Sequence, residues 1–176
     1  MCNDRYHFLG CSSSLQRMQI FKNFASMLGE LNERQIESLL NELPVGRIGC
    51  HADGITYIVP VNYAYDGVNL YAHSAQGMKI DMMRKNPDVC FQADAITNLQ
   101  NWESVICWGK FEEITDMLER EHAMQKIINK VMPLMQGETA QPSHGFTSDA
   151  SEVGFEMELI LYKIILSKKT GRFEKN

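Results

Sequence analysis

Residues 45–74 read VGRIGCHADGITYIVPVNYAYDGVNLYAHS, three apolar runs separated by two Asp-Gly pairs. The runs are rich in β-branched and aromatic side chains and predict three strands, Val45 to His51, Gly54 to Tyr65 and Val68 to Ser74. Ala52-Asp53-Gly54 and Asp66-Gly67 predict the connecting turns, because Asp and Gly tolerate the positive φ that a tight hairpin requires. The stretch therefore predicts a three-stranded antiparallel meander.

The segments around this meander add helices and three more strands. Before it, Asn32 and Gln35 have the spacing of a capping box and begin a helix that stops at Pro44. After it, we expect a short helix at Lys79 to Lys85 and two strands, Val89 to Ala93 and Ser104 to Ile114. A longer helix then runs from its N-cap Thr115 to Pro133, and a last strand from Phe155 to Ser167. In the longer helix, we expect Met117, Met124, Ile128 and Val131 to form the buried face and Asp116 to pair with Arg120.

Six strands and few helices predict a mainly β fold, an antiparallel sheet that closes into a barrel. The 176 residues, 44% hydrophobic and 22% charged, suit one domain. We place it at residues 31–172, after a partly helical or disordered extension at 1–30 and before a solvated tail at 173–176. Met18 and Met27 are alternative translation starts.

Residues 135–152 are rich in turn formers and predict a long loop. If this loop covers the site, we expect His144 or Phe146 to contact substrate.

Charge and cysteine content exclude several classes of function. Seventeen basic against 22 acidic residues give a formal net charge of -5, which argues against a nucleic-acid partner. No apolar run approaches the ~18–20 residues that cross a bilayer. The five cysteines are odd in number and lack a C-x-x-C pair, which favours a reducing, cytoplasmic location and no structural metal site. We expect Cys90 and Cys107 to be small buried core residues.

One segment carries the chemistry of an anion site. Residues 71–79, YAHSAQGMK, place hydroxyl and imidazole donors at the end of a strand, then a glycine-containing turn and Lys79 at the start of a helix. Backbone N–H groups at a helix N-terminus, together with an ammonium group, are typical of phosphate sites. The alternative is a solvated turn with an exposed lysine. The sequence contains none of the common signatures of a nucleotide-binding loop, a metalloprotease or a serine hydrolase.

Several further motifs occur in a fixed order along the chain. They are VGRIG (45–49), YIVPVNY (57–63), LYAHSA (70–75) with Gly77 and Lys79, NPDVCF (86–91), WESV (102–105) with Gly109, and TGR (170–172). Together they resemble the pyridoxamine 5′-phosphate oxidase-like flavin-binding split barrels, and most closely the branch of the 5-nitroimidazole resistance proteins. The resemblance spans about residues 31–172.

The resemblance implies a six-stranded split barrel that forms a homodimer, with two FMN molecules in grooves at the subunit interface. Carried over by position, Val59, Pro60, Val61 and Asn62 would line the isoalloxazine ring through backbone groups, since Pro60 lacks an N–H and interrupts the strand ladder. Tyr71, Ala72, His73 and Ser74 would follow the ribityl chain and phosphate, and Met78 and Lys79 would close the phosphate end. Trp102, Ser104 and Trp108 would reach the partner's flavin, or the two tryptophans would pack in the dimer.

The implied activity is reduction of a small acceptor, such as the nitro group of a nitroimidazole, with a reduced nicotinamide as electron donor. His73 would be the proton donor or only a hydrogen-bond partner of the flavin, and the sequence does not separate these roles. Oxidation of pyridoxamine phosphate is disfavoured, because residues 166–176 contain no histidine. The alternatives are FAD in place of FMN, a flavin-binding redox sensor or carrier without turnover, and a haem-binding barrel with His51, His73 or His144 as axial ligand.

Overall fold

The computed structural model describes residues 27–134 and 159–176 of the chain. The strands there are β1 (Met27–Glu30), β2 (Val45–Ala52), β3 (Ile55–Asn62), β4 (Ala64–Tyr65), β5 (Asn69–Ser74), β6 (Asp88–Asn98), β7 (Asn101–Glu113) and β8 (Ile160–Lys175). The helices are α1 (Glu33–Glu42), α2 (Met78–Lys85) and α3 (Met117–Val131), followed by a 3-10 turn at Met132–Leu134. The predicted mainly β class is confirmed.

All eight strands belong to one antiparallel sheet. Their spatial order is β3-β2-β6-β7-β8-β5-β4, and β1 pairs with the far end of β8. β3 and β4 lie at opposite ends of this order, yet only Tyr63 separates them along the chain. The sheet must therefore curl until its two ends meet at Tyr63. This produces a barrel that is closed there by the chain itself and split between β3 and β4.

The prediction of six strands was wrong by two. The run from Gly54 to Tyr65 divides at Tyr63, whose side chain is fully buried and whose hydroxyl donates to Leu40 O at 2.9 Å. The other additional strand is β1, which pairs with Arg172–Lys175. β8 thus continues to Lys175, beyond the predicted end of the last strand at Ser167 and into the segment 173–176 that was predicted to be a solvated tail. Residues 27–30 of the extension predicted to be partly helical or disordered form β1 instead. The rest of that extension and the loop at 135–152 lie outside the described residues.

Two of the predicted turns and one predicted cap are present in the structure. Asp53 has a φ of 52° and Gly54 a φ of 77°, the pair of positive values that a two-residue hairpin turn needs. Gly67 in the next turn has a φ of 96°. At the start of α1, Gln35 N donates to Asn32 Oδ1 at 3.0 Å and Asn32 N donates to Gln35 Oε1 at 2.9 Å. These local signals fix where the strands and α1 begin.

The barrel interior is filled by apolar and aromatic side chains. Tyr63 and Phe91 pack edge to face with ring centroids 4.7 Å apart, and Tyr162 is fully buried beside Phe111. α1 closes one end of the barrel with three buried side chains, Ile36, Leu39 and Leu40. Cys50 and Cys107 are buried in the same core, and Cys90 is partly buried, so the expectation for Cys107 holds fully and that for Cys90 in part.

α3 packs on the outside of the barrel with a different register from the one predicted. Its N-cap is Asp116, whose carboxylate accepts from Glu119 N at 2.9 Å, in place of Thr115. Its buried side chains are Ala123, Met124, Ile127 and Ile128, whereas Met117 is largely exposed. The expected pair of Asp116 with Arg120 was wrong, because Arg120 donates to the carbonyls of Ile114 and Leu159 at 3.1 Å. Among the described residues, no helix is long and apolar enough to span a bilayer.

Candidate functional site

A cleft of about 370 Å³ lies between β3 and the segment that joins β5 to α2. Its lining residues are Tyr57, Val59, Pro60, Val61, Asn62, His73, Ser74, Ala75, Gln76, Gly77, Met78 and Lys79. The fold brings these two segments together because β3 is one end of the sheet and β5 lies near the other end, on the far side of the split. Eight of the residues proposed from the sequence therefore share one cleft.

The cleft runs along the outer edge of β3. Side chains in a strand point alternately to opposite faces, so the four consecutive residues Val59 to Asn62 line one cleft only if the cleft follows the strand's edge. In the described part of the chain β3 pairs only with β2, which leaves the backbone groups of its other edge facing the cleft. Pro60, opposite Arg47 in the ladder, contributes no N–H. This edge can hold a planar ligand through main-chain groups.

The other wall is built by the end of β5 and the start of α2. Gly77 is the N-cap of α2 and supplies no side-chain hydrogen bond, so the first N–H groups of the helix are not capped by a side chain. A Cβ added at Gly77 would meet no atom within 4 Å, which means that this end of the cleft is open. Ser74 Oγ donates to the carbonyl of Ala75 at 2.8 Å. The backbone donors of α2 are therefore directed to a site where an anion fits.

Lys79 is the cation of this site. It is the only lysine, arginine or carboxylate residue among the described residues that line the cleft. Its ammonium lies 5.9 Å from the centroid of the Tyr162 ring, and it makes no ion pair or hydrogen bond within the described ranges. Burial lowers the pKa of Lys79 below its ordinary value. An anionic ligand would compensate this partly buried charge.

His73 also lines the cleft, and its side chain is partly buried. It lies on β5 opposite Leu161 of β8. The two residues before it lie elsewhere. Tyr71 packs against α3 in the outer apolar cluster, and Ala72 faces the barrel core. These two residues are part of β5 but do not line the cleft, so only their neighbours His73 and Ser74 are placed to touch a ligand there.

Sequence reasoning missed three lining side chains, Tyr57, Ala75 and Gln76. Tyr57 has a signal that was available, because it lies two residues before Val59 and therefore on the same face of β3. Gln76 lies at the open end of the cleft. Its amide nitrogen donates to Asp81 Oδ1 at 2.6 Å, and its amide oxygen accepts from Arg84 Nη1 at 2.7 Å. Its role depends on residues distant in sequence and was not predictable from the turn alone.

The remaining proposed residues lie away from the cleft of their own chain. Trp102 Nε1 donates to Glu174 Oε2 at 3.0 Å, and Ser104 Oγ accepts from Gln92 Nε2 at 3.2 Å. Trp108 lines a second groove, of about 580 Å³, on the outer face of β2, β6 and β7. This groove is largely apolar, and Ile58 and Trp108 in it are 65% and 38% exposed. The described residues contain no cluster of His, Cys, Asp or Glu arranged to hold a metal ion.

Comparisons with known proteins support one relationship. The family model described as pyridoxamine 5′-phosphate oxidase matches residues 32–152. An uncharacterised protein of Rhizobium meliloti is 40% identical over 70 residues, which are 40% of this chain and 46% of that protein. The matched part of the chain thus spans about half the length of this curated relative.

Three solved structures have similar folds and cover most of the chain. A FAD-binding protein of Mesorhizobium loti has a TM-score of 0.65 and 28% identity, covering 86% of this chain and all of that one. A candidate 5-nitroimidazole antibiotic resistance protein of Bacteroides thetaiotaomicron has a TM-score of 0.64 and 25% identity, covering 85% and 89%. A FAD-binding protein of Mycobacterium smegmatis has a TM-score of 0.59 at 20% identity, which shows the fold alone. The barrel described above is therefore shared with proteins whose names refer to flavin and to nitroimidazole resistance.

Proposed function

Because the chain belongs to the pyridoxamine 5′-phosphate oxidase family, as its sequence motifs indicated, we propose that it is a flavin-dependent oxidoreductase. It binds FMN in the cleft beside β3 and reduces a small acceptor there, with a nitro group of the nitroimidazole type as the first candidate. Similarity to proteins named as FAD-binding and as a nitroimidazole resistance protein supports this choice. The absence of a histidine in β8 is the reason why pyridoxamine phosphate is not the proposed substrate.

The observation that carries the proposal is the position of Lys79. The ammonium of Lys79 is partly buried and has no carboxylate partner among the described residues. It lies beside the start of an eight-residue helix that no side chain caps. The ammonium and the N–H groups of the helix are therefore two independent donors for a phosphate. The edge of β3 supplies main-chain groups along the opposite wall. The residues present therefore fit a planar ring attached to a phosphate, which is the chemical form of FMN.

The chain's own residues would bind and orient the cofactor. Val59 to Asn62 would hold the isoalloxazine through backbone groups, and Lys79 and the N–H groups of α2 would hold the phosphate. When bound, the flavin would supply hydride and electron transfer, and this chemistry requires no protein nucleophile or catalytic triad. The protein's contribution is orientation and exclusion of water from the ring.

His73 has two possible roles in this site. It lines the cleft, and an imidazole changes its charge near neutral pH, which suits a proton donor to a reduced acceptor. The other role is a hydrogen bond to the flavin without proton transfer. His73→Gln separates them, since glutamine keeps a hydrogen-bond donor but cannot transfer a proton. If His73 is the proton donor, turnover falls with little change in flavin affinity, and the pH dependence of turnover changes.

We include a homodimer in the proposal. The apolar groove around Ile58 and Trp108 exposes large hydrophobic side chains that a second copy of the chain would cover. In that assembly Trp102 and Ser104 of one subunit would approach the flavin of its partner. Sedimentation equilibrium measures the mass, and Trp108→Glu places a charge in the groove. A dimer that becomes a monomer in this variant supports the proposal, and a monomeric wild type contradicts it.

A redox cycle tests the proposed activity. The protein is reconstituted with FMN, reduced anaerobically with NADH or NADPH, and then mixed with a nitroimidazole while the flavin spectrum is recorded. Reduction followed by rapid reoxidation and loss of the nitro absorption supports an enzyme. Flavin that binds but does not cycle supports a sensor or carrier, and a Soret band in place of flavin bands would move the assignment to haem.

A further inference from the structure

The turn at residues 75–77 joins β5 to α2, and all three of its residues line the cleft. The ladder between β5 and β8 ends at Ser74, and the three turn residues are exposed. A Cβ added at Gly77 would meet no described atom within 4 Å. By contrast, three apolar side chains of α2 are buried in the barrel core: Ile80, Met82 and Met83. In the described part of the chain, the core therefore holds the helix but not the turn.

The side chain of Gln76 ties this turn to two residues of α2. Its amide nitrogen donates to Asp81 Oδ1 at 2.6 Å, and its amide oxygen accepts from Arg84 Nη1 at 2.7 Å. The reverse orientation of the amide would place its oxygen against the carboxylate and its nitrogen against the guanidinium, and both hydrogen bonds would be lost. Asp81 is itself favoured in its place, since it lies in the first turn of α2, near the positive end of the helix dipole. The amide of Gln76 is therefore held in one orientation.

Arg84 connects this amide to the barrel wall. Its Nε donates to Glu113 Oε1 at 2.5 Å and its Nη2 donates to Glu113 Oε2 at 3.0 Å, so two nitrogens of the planar guanidinium are bound to one carboxylate of β7. Because the group is planar, this two-point contact also fixes the direction of the third nitrogen, Nη1, which reaches Gln76. The hydrogen bond from Arg84 lowers the pKa of Glu113, so the carboxylate stays charged at neutral pH. The contacts thus run from β7 through Arg84 and Gln76 to the turn.

We infer that Arg84 is a positioning residue of the cleft, which holds the turn at 75–77 through Gln76 and is itself fixed on the barrel by Glu113. The inference rests on the proposed function for the role of the cleft as a ligand site. It concerns the shape of one wall and gives Arg84 no contact with the ligand. An ordered wall favours binding, because a ligand that has to order a mobile turn must offset the conformational entropy that the turn loses. Removal of the Arg84 contact should therefore leave the fold intact and loosen one wall of the cleft.

Backbone dynamics of the full chain, before flavin is added, test the inference first. Nitrogen-15 relaxation gives an order parameter for each amide, near ~0.85 for rigid backbone and below ~0.6 for flexible backbone. We expect rigid values at residues 75–77 in the wild type and a fall toward the flexible range in Arg84→Met. Glu113→Gln should cause the same fall, because the guanidinium loses its charged partner. The double variant Gln76→Ala/Arg84→Met should resemble Arg84→Met alone, since both changes break one chain of contacts.

Glu112→Gln is the matched control for Glu113→Gln. Glu112 adjoins Glu113 on β7, but its carboxylate pairs with Lys163. The order parameters at residues 75–77 should therefore be the same in Glu112→Gln as in the wild type.

Flavin affinity gives the second readout. Arg84→Met should weaken FMN binding by about threefold or more, as for a two-point ion pair that is only partly exposed, while far-ultraviolet circular dichroism shows an intact fold. Order parameters at residues 75–77 that are unchanged in both Arg84→Met and Glu113→Gln overturn the inference, and so does an additive effect in the double variant. An unchanged FMN affinity in Arg84→Met, although the turn has become flexible, also overturns it. If the wild type binds no flavin, the proposed function fails, whereas the order parameters still decide whether Arg84 holds the turn.

Discussion

Replacing Lys79 by methionine removes the only lysine or arginine that the described residues contribute to the cleft, while keeping a long, flexible side chain. A charge-assisted hydrogen bond to a phosphate contributes about 1.5–3 kcal/mol in a protein, below the ~4 kcal/mol that Coulomb's law gives at 4 Å with an effective dielectric constant near 20. Each ~1.4 kcal/mol is a factor of ten in affinity. We therefore expect Lys79→Met to weaken FMN binding by about 10- to 150-fold.

The stability of the flavin-free protein should respond in the opposite sense. Burial lowers the pKa of Lys79, so the folded state disfavours the charged form relative to the unfolded chain. A neutral methionine avoids this cost, and Lys79→Met should unfold at the same temperature as the wild type or a higher one. A loss of flavin affinity in this variant is then not explained by a damaged fold.

Riboflavin makes the assay specific for the phosphate. It has the same ring system as FMN without the phosphate, so its affinity should be nearly the same for wild type and Lys79→Met. Titrations followed by quenching of flavin fluorescence measure both ligands, and Lys85→Met is the control, because Lys85 pairs with Asp53 outside the cleft. Equal weakening of FMN and riboflavin, or an FMN affinity that does not change, would refute the assignment of Lys79 to the phosphate.

Four further outcomes are expected. FMN affinity should fall as the pH rises through the pKa of Lys79, and this fall should begin below the pH range in which an ordinary lysine loses its charge. Lys79→Met should abolish this pH dependence. Titrations above pH ~7.5 avoid the second ionisation of the phosphate near ~6. Asn32→Ala removes the capping box of α1 and should lower the free energy of unfolding by about 0.5–2 kcal/mol in urea titrations, with unchanged stability contradicting the cap. Gly109→Ala places a Cβ 2.4 Å from the carbonyl oxygen of Ile165 and should cost about 1–3 kcal/mol or more in the same titrations. Tyr162→Phe removes a buried hydroxyl that has no hydrogen-bond partner among the described residues, so the melting temperature should stay equal or rise, and a clear decrease would reveal a partner for that hydroxyl.

The parts of the fold that were predictable are those encoded by neighbouring residues. The turn at Asp53-Gly54 needs two positive φ values, and the capping box of α1 needs Asn32 and Gln35 three positions apart. Each signal is local, so a sequence pattern suffices to find it. The same holds for Lys79 at the start of α2, since the helix begins directly after Gly77.

The errors concern features that depend on distant partners. The last strand was predicted to end at Ser167 and residues 173–176 to be a solvated tail. β8 nevertheless extends to Lys175, because β7 on one edge and β1 on the other supply backbone hydrogen bonds. An antiparallel strand with one solvated face accepts polar side chains on that face, so composition alone does not distinguish it from a tail. β8 also contains an extra residue at Ser167, next to Gly109, which no periodicity reveals.

The candidate site shows the same division. The family resemblance placed the motifs of β3 and of residues 73–79 around one cofactor, and the curled sheet shows that they line opposite walls of one cleft. The side chain of Arg84 in α2 joins Gln76 to Glu113, 37 positions later. That contact depends on where α2 lies relative to β7, which sequence patterns do not specify.

The central claim is that this cleft binds FMN, and the visible absorption spectrum of the purified protein after saturation with FMN and gel filtration tests it most directly. The account predicts bands near ~370 and ~450 nm that co-elute with the protein at one flavin per chain, and whose amplitude is strongly reduced in Lys79→Met. A protein that elutes without colour, while its far-ultraviolet circular dichroism shows an intact β fold, would contradict it.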